Sequence, residues 1–226
     1  MKKIIILLPL FMISLSLPAQ TNGEKRLSCQ LEEMTTPQFV KAVELSGGVC
    51  VIPLGIMEKH STHLPLGTDL FEARASVIMA AEKEYAVVFP PYYVGQIFEA
   101  KHQPGTIAYS NELMWKMLDE TCSELARNGL KKIILFNGHG GNTSFLQYFC
   151  QSQLASQRDY VVALFNPGPD TVKDNEIKSL KKATLDGHAG EEETSMMYFI
   201  RPDLVDTSAI GRESGLSQGK LDMKVP

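Results

Sequence analysis

The stretch "KKIILFNGHGGN", Lys131–Asn142, decides how the rest of the chain is read. Ile133, Ile134, Leu135 and Phe136 form a short unbroken apolar run, which suits a strand buried on both faces. The run ends in a glycine-rich turn carrying one histidine, His139. Helical patterns lie on either side. "NELMWKMLDETCSELARNG", residues 111–129, places Leu113, Met117, Cys122 and Leu125 on one predicted apolar face and stops at Gly129. "TSFLQYFCQSQLASQ", residues 143–157, is the predicted helix that follows.

The same alternation extends outward. "GVCVIPLG", residues 48–55, is a short buried strand closed by Pro and Gly. "YAVVFPPYYVG", residues 85–95, begins as a strand and runs into an aromatic loop. "DYVVALFN", residues 159–166, reads as another buried strand. Between them, "TTPQFVKAVEL" is a helix with Thr36 as predicted N-cap and Pro37 at the first helical position. "DLFEARASVIMAAEKEY" is a helix in which Asp69 and Glu72 have capping-box spacing. A short helix over "EETSMMYFI" is expected after "DGHAG". Short apolar strands separated by helices predict an α/β fold: a three-layer α/β/α sandwich with a mostly parallel central sheet. In such folds ligands bind at the carboxyl ends of the strands.

With 226 residues the expectation is one domain, and 44% apolar against 21% charged residues is ordinary for a globular core. The formal net charge is −4, and no basic block tracks a phosphate backbone, so nucleic acid is excluded as a partner. The start of the chain differs. "MKK" is a short basic region, "IIILLPLFMISLSL" is apolar, and Ala19 supplies a small residue for cleavage. Residues 1–19 therefore read as a secretory signal peptide and 20–226 as the mature domain, exported to the periplasm, with no stable membrane insertion afterwards. Export brings an oxidising compartment, where Cys29, Cys50, Cys122 and Cys150 could pair in any of three ways. Cys50, Cys122 and Cys150 also read as small buried hydrophobes.

Chemistry-bearing residues collect just after the strands. Glu58, His60, His63 and Asp69 follow the first, in "EKHSTHLPLGTD". His139 follows Lys131–Asn137. His188, Glu191, Glu192 and Glu193 lie in "DGHAGEEE", and His102 sits in "FEAKHQPGT". All five histidines of the chain thus fall in turn-rich segments. In extended backbone, residues two apart point the same way, so Glu58 and His60 can face one ion while Lys59 faces away. Asp69 can return to that place after the turn at Pro65 and Gly67. Two carboxylates and imidazole suit Zn, Mn or Fe, one or two ions per subunit, a shared carboxylate holding a pair about 3.5–4 Å apart. Plainer readings exist for each residue. Asp69 serves equally as a helix cap, Glu58 as a partner of Lys59 or Arg74, and the three glutamates as company for a helix N-terminus. "NGHGGN" could cradle a phosphate, but it lacks both GxGxxG and the GK[ST] ending.

Three motifs, "LGIMEKHSTHLPLGTD", "LFNGHGGN" and "DGHAGEEETS", occur in the order and spacing of the creatininase (creatinine amidohydrolase) family, which the chain resembles from about Thr35 to Ser208. The resemblance implies an α/β/α sandwich with a metal centre, often binuclear, and a homo-oligomer, usually a hexamer. It implies hydrolysis of a C–N bond in a cyclic or linear small-molecule amide by metal-activated water. Carried over, Glu58 and His60 look like ligands of separate ions, Asp69 like the bridge, and His139 and Glu193 like further ligands. His188 resembles the residue that handles protons, with Glu191 orienting it or acting as a secondary acid. Gly141 stands where creatininase itself has a glutamate, so the chain fits an HGGN subgroup with a different substrate. "KHQPGT" departs from the usual "HxxFPGT", displacing His102, and the C-terminal region is shorter than in many members. Tyr92, Tyr93, Phe98 and His102 are the candidate pocket wall. A lactonase or phosphoesterase on the same metal site, or an exported metal-containing binding protein without turnover, are the competing expectations.

Overall fold

The structure is a computed structural model that describes residues 26–168 and 171–222. The signal peptide lies outside the described residues. Among the described residues four strands form one parallel sheet: β1 (Val49–Leu54), β2 (Val87–Val88), β3 (Lys132–Asn137) and β4 (Val161–Phe165), in the order β2-β1-β3-β4. Register runs from Val49↔Lys132 to Leu54↔Asn137 between β1 and β3, and from Lys132↔Val161 to Phe136↔Phe165 between β3 and β4. The α-helices of the described residues are α1 (Thr36–Leu45), α2 (Thr68–Lys83), α3 (Asn111–Arg127), α4 (Thr143–Ser152), α5 (Thr171–Leu180) and α6 (Glu191–Ile200).

The alternating side chains of the strands divide between two cores. Cys50, Ile52 and Leu54 of β1 and Ile133 and Leu135 of β3 pack with Ala42 of α1, Met114, Leu118, Cys122 and Leu125 of α3, and Leu146 and Phe149 of α4. On the opposite face Val51 and Phe136 meet Val77 and Ala81 of α2. Helices on both faces of a parallel sheet make the three-layer sandwich that the alternating pattern predicts. The chain leaves β1 toward β2 and then crosses back to β3. The carboxyl ends of β1 and β3 therefore flank the switch point, the usual ligand crevice of such sheets.

Several local expectations are corrected. The cap of α1 is Thr35, one residue earlier than predicted, with Gln38 Oε1 accepting from both Thr35 N at 2.8 Å and Thr35 Oγ1 at 2.9 Å. Asp69 caps nothing; it lies inside the first turn of α2, whose N-cap is Gly67. The buried face of α3 is Met114, Leu118, Cys122, Leu125 and Ala126, while Leu113 and Met117 are about two-fifths exposed. Only the row starting at Met114 reaches Cys122 in steps of four. A row through Leu113 and Met117 leads to Thr121 instead. β4 is not buried: it is the edge strand of the sheet, and Val161 and Phe165 are more than half exposed. Helix α5 carries no apolar stripe that the sequence pattern could have revealed. All four cysteines are free, Cys50 and Cys122 being buried and Cys29 and Cys150 half-buried.

Candidate metal centre

The site forms where three chain segments leave the sheet at the switch point. From the end of β1 come Glu58 and His60. The first turn of α2 supplies Asp69. The turn after β3 supplies His139. All four are less than a tenth exposed. Close backbone approach brings the helix over the strands: a Cβ at Gly138 would stand 2.6 Å from Ala73 Cβ and 2.9 Å from Leu54 O. Only a residue without a side chain lets α2 settle there and aim Asp69 at the other ligands.

The four side chains converge. Asp69 lies between two imidazoles, with Oδ1 3.1 Å from His60 Nε2 and Oδ2 2.9 Å from His139 Nδ1. His139 Nδ1 is also 3.2 Å from Glu58 Oε1. Ligand-type atoms of Glu58, Asp69 and His139 lie within 4.8 Å of one another, as do those of Glu58, His60 and His188. The backbone sets the tautomer of His60. Its Nδ1 is 3.2 Å from the Glu58 carbonyl, which can only accept, so Nδ1 carries the proton and Nε2 is left to bind.

Electrostatics follow from burial and pairing. Burial alone would lower the pKa of both imidazoles, yet the Asp69 and Glu58 carboxylates outweigh it, raising His60 to about 8 and His139 to about 9. Burial would raise Asp69 and Glu58, but hydrogen bonding and charge from the same imidazoles hold both below the usual carboxylate range. Glu72, one turn along α2, has no such partner, and burial beside Glu193 and Asp69 raises it to about 8.

The donor set fits a divalent cation. Asp69 Oδ2 and His139 Nε2 are buried with no hydrogen-bond partner, although His139 Nδ1 is so close to Asp69 Oδ2. Buried ligand atoms left unpartnered within such a crowd of carboxylates and imidazoles are what a shared cation would organise.

A second group covers this floor. A cavity of about 270 Å³ is lined by Glu58, Asp69, Glu99, residues 138–141, His188, Glu193 and Lys220. Of the three consecutive glutamates only Glu193 faces it, and its Oε2 accepts from Ala189 N at 2.5 Å. Glu193 stands outside both three-residue groups above. Glu191 turns away. Its Oε2 accepts from Lys182 N at 2.8 Å and Ala183 N at 2.6 Å, which ties down a loop, so it does not orient His188. His188 instead donates from Nε2 to the Lys59 carbonyl at 2.6 Å, leaving Nδ1 to accept from Lys220 Nζ at 3.3 Å. Burial, with His60 beside it, lowers the His188 pKa, and the ring is neutral at pH 7.

The aromatic candidates lie elsewhere. Tyr92 is buried in the main core, while Tyr93, Phe98 and His102 are exposed, and none of the four lines the cavity. The residues that sequence reasoning missed are Glu99 and Lys220. Gly141 explains the first. A Cβ there would stand 2.5 Å from His139 Nε2 and 3.0 Å from Glu99 Oε1, so the missing side chain leaves the Glu99 carboxylate near that ring nitrogen. A larger hollow of about 350 Å³ beside α3 offers only Glu120 and Glu124 as ligand-type groups.

Residues 32–222 match the family model described as creatinine amidohydrolase. The chain belongs to the creatininase family. Members of this family are metal-dependent amidohydrolases, and the protein is on that ground a hydrolase. Creatinine amidohydrolase of Pseudomonas putida is 28% identical over 193 residues, covering 79% of this chain and 74% of that protein. The mycofactocin precursor peptide peptidase of Mycolicibacterium smegmatis is 30% identical over 176 residues, covering 74% of this chain. This chain spans 65% of the peptidase's length. Among solved structures, a creatininase variant of Zn–Zn type superposes with a TM-score of 0.68 at 25% identity, covering 79% of this chain and 75% of that one. The creatininase family therefore includes relatives named for different substrates, consistent with the departure at Gly141.

Proposed function

We propose that this protein is an exported, periplasmic amidohydrolase that uses a divalent metal, Zn, Mn or Fe, to cleave a C–N bond in a small cyclic or linear amide. The observation that carries the reading is the convergence of Glu58, Asp69 and His139 within 4.8 Å in a buried cradle, with His60 in contact through Asp69. Bound there, a divalent ion supplies a water nucleophile near neutral pH and polarises a carbonyl.

The chain's own residues do the rest. Glu58, Asp69, His139 and the free Nε2 of His60 hold the charge in place. Burial of the floor excludes bulk water and strengthens every interaction within it. His188, neutral and lining the cavity with Nδ1 in contact with Lys220 Nζ, is the group through which a proton would pass to the leaving nitrogen, a role worth about 10²–10⁴-fold. Assembly as a homo-oligomer, with the hexamer as the specific expectation, is part of the same proposal. The exposed apolar residues Leu154, Val161 and Phe165 around the β4 edge support it.

The test is a chelated protein reloaded with Zn or Mn and assayed against amides, lactones and phosphoesters. Amine release restored by metal, and lost in His60→Ala, is the expected result. Cleavage of esters alone would move the protein to the competing hydrolase reading. Stoichiometric binding with no product would make it a binding protein.

A further inference from the structure

His63, the second histidine of "EKHSTHLPLGTD", is 2% exposed and stands outside the converging ligand atoms of the floor. Its Nε2 lies 2.8 Å from Thr194 Oγ1, and its Nδ1 is buried with no partner. A buried ring nitrogen left unpaired costs stability. The seam beside it is apolar, since Leu64 packs with Ala189 and Met197. What the imidazole adds at this place is its bond to Thr194.

Thr194 follows Glu193 in the first turn of α6, where Thr194 N donates to Gly190 O at 3.0 Å. Successive residues of a helix project about 100° apart, so holding one side chain fixes the direction of the next. Among the described residues, the His63–Thr194 contact is the one hydrogen bond joining α6 to the loop after β1. The side chains of Glu191 and Glu192 bond the other way, to Lys182, Ala183 and Lys181. Glu193 faces the cavity. Burial raises its pKa, His60 opposes that rise and Asp69 adds to it, so its carboxylate stands within electrostatic reach of both. His60 and His63 share one turn, in which Leu64 N donates to His60 O at 3.4 Å. The bond to Thr194 therefore refers the position of Glu193 to that of His60.

We propose that His63 is a positioning residue: through Thr194 it sets the rotation of α6 that aims the Glu193 carboxylate at the metal centre, beside His60 and Asp69. The inference rests on the metal reading above and names how a third carboxylate is brought to it.

The test is zinc affinity, read by competition with a chromogenic chelator. Wild type is compared with Thr194→Val, Thr194→Ser, His63→Asn, Glu193→Gln and the double variant Thr194→Val with Glu193→Gln. Thr194→Val keeps the shape of the side chain and loses the hydroxyl. His63→Asn, whose shorter amide does not reach Thr194, breaks the same bond from the other side. Each is expected to weaken zinc binding about 10–100-fold, the usual effect of removing a group that orients a ligand. Thr194→Ser is expected to bind as wild type does. Glu193→Gln should weaken binding at least as much as Thr194→Val, and the double variant no more than Glu193→Gln alone, because the effect of Thr194 runs through Glu193. Circular dichroism checks folding, and either of the two bond-breaking variants suffices. Unchanged affinity in a folded one, unchanged affinity in Glu193→Gln, or a further loss in the double variant overturns the proposal and leaves the metal reading standing. Wild type that binds no zinc overturns both.

Discussion

The floor and the cover of the site are built on different principles. Glu58, His60, Asp69 and His139 rise from the ends of β1 and β3 and from the start of α2, all within the rigid frame of the parallel ladder. His188, Glu193 and Lys220 come from residues 186–193 and from the C-terminal segment 211–222, where side chains bonded to backbone do the holding and Ala189 and Gln218 take positive φ. The floor is nearly inaccessible, whereas His188 and Lys220 keep 13% and 19% of their side chains exposed. Segments held this way are the ones that open locally at low free-energy cost. On the proposed function, charge-holding falls to the frame and proton handling to the segments held by side chains.

Substitution separates the two halves. Asp69→Ala removes a carboxylate contacting both His60 and His139, so metal content and turnover should fall together to background. His188→Ala should keep its metal and lose about 10²–10⁴-fold in kcat. Loss of metal from His188→Ala, read by elemental analysis, would erase the division between floor and cover. Gly138→Ala sharpens it from another direction. A methyl group 2.6 Å from Ala73 Cβ forces α2 off the strands, with a cost of about 1–3 kcal/mol for overpacking. Chemical denaturation should show that loss, and metal affinity should drop with it because Asp69 rides on the displaced turn.

The floor was far more legible in the sequence than the cover. Glu58 and His60 sit two apart in extended chain, and Asp69 and His139 lie beside turn glycines, so local spacing carries most of the geometry. Parallel layering was legible too, since strands covered on both faces leave continuous apolar runs. Which face a run presents depends on its neighbours, and that information is not local. "YVVALF" reads like a buried strand, but at the sheet edge half of it is exposed. The three glutamates of "EEE" look equivalent until α6 rotates Glu191 toward Lys182 and Glu193 toward the cavity. Lys220 and Gln218 carried no motif at all. Their role comes from bonds to residues more than a hundred positions away, such as Ser61, which no window of sequence contains.

The smallest expected effect is one of pH, and it bears on the floor alone. In the metal-free protein the carboxylates hold His60 near 8 and His139 near 9, against 6.5 for a free imidazole. A group whose pKa is raised by folding contributes stability that is complete below its unfolded value and disappears as pH rises through the folded one. Chelated protein should therefore lose melting temperature between about pH 6.5 and 9. Metal binding must displace those same protons, so metal affinity should rise across the same window, and metal-loaded protein should show no such loss. His188 contributes nothing of this kind, because burial and His60 lower its pKa. The slope should then survive in His188→Ala and shrink in a protein lacking His139, where His60 alone still carries it. A slope that tracks His188 instead would place the charged cluster in the cover, reversing the assignment of the two halves.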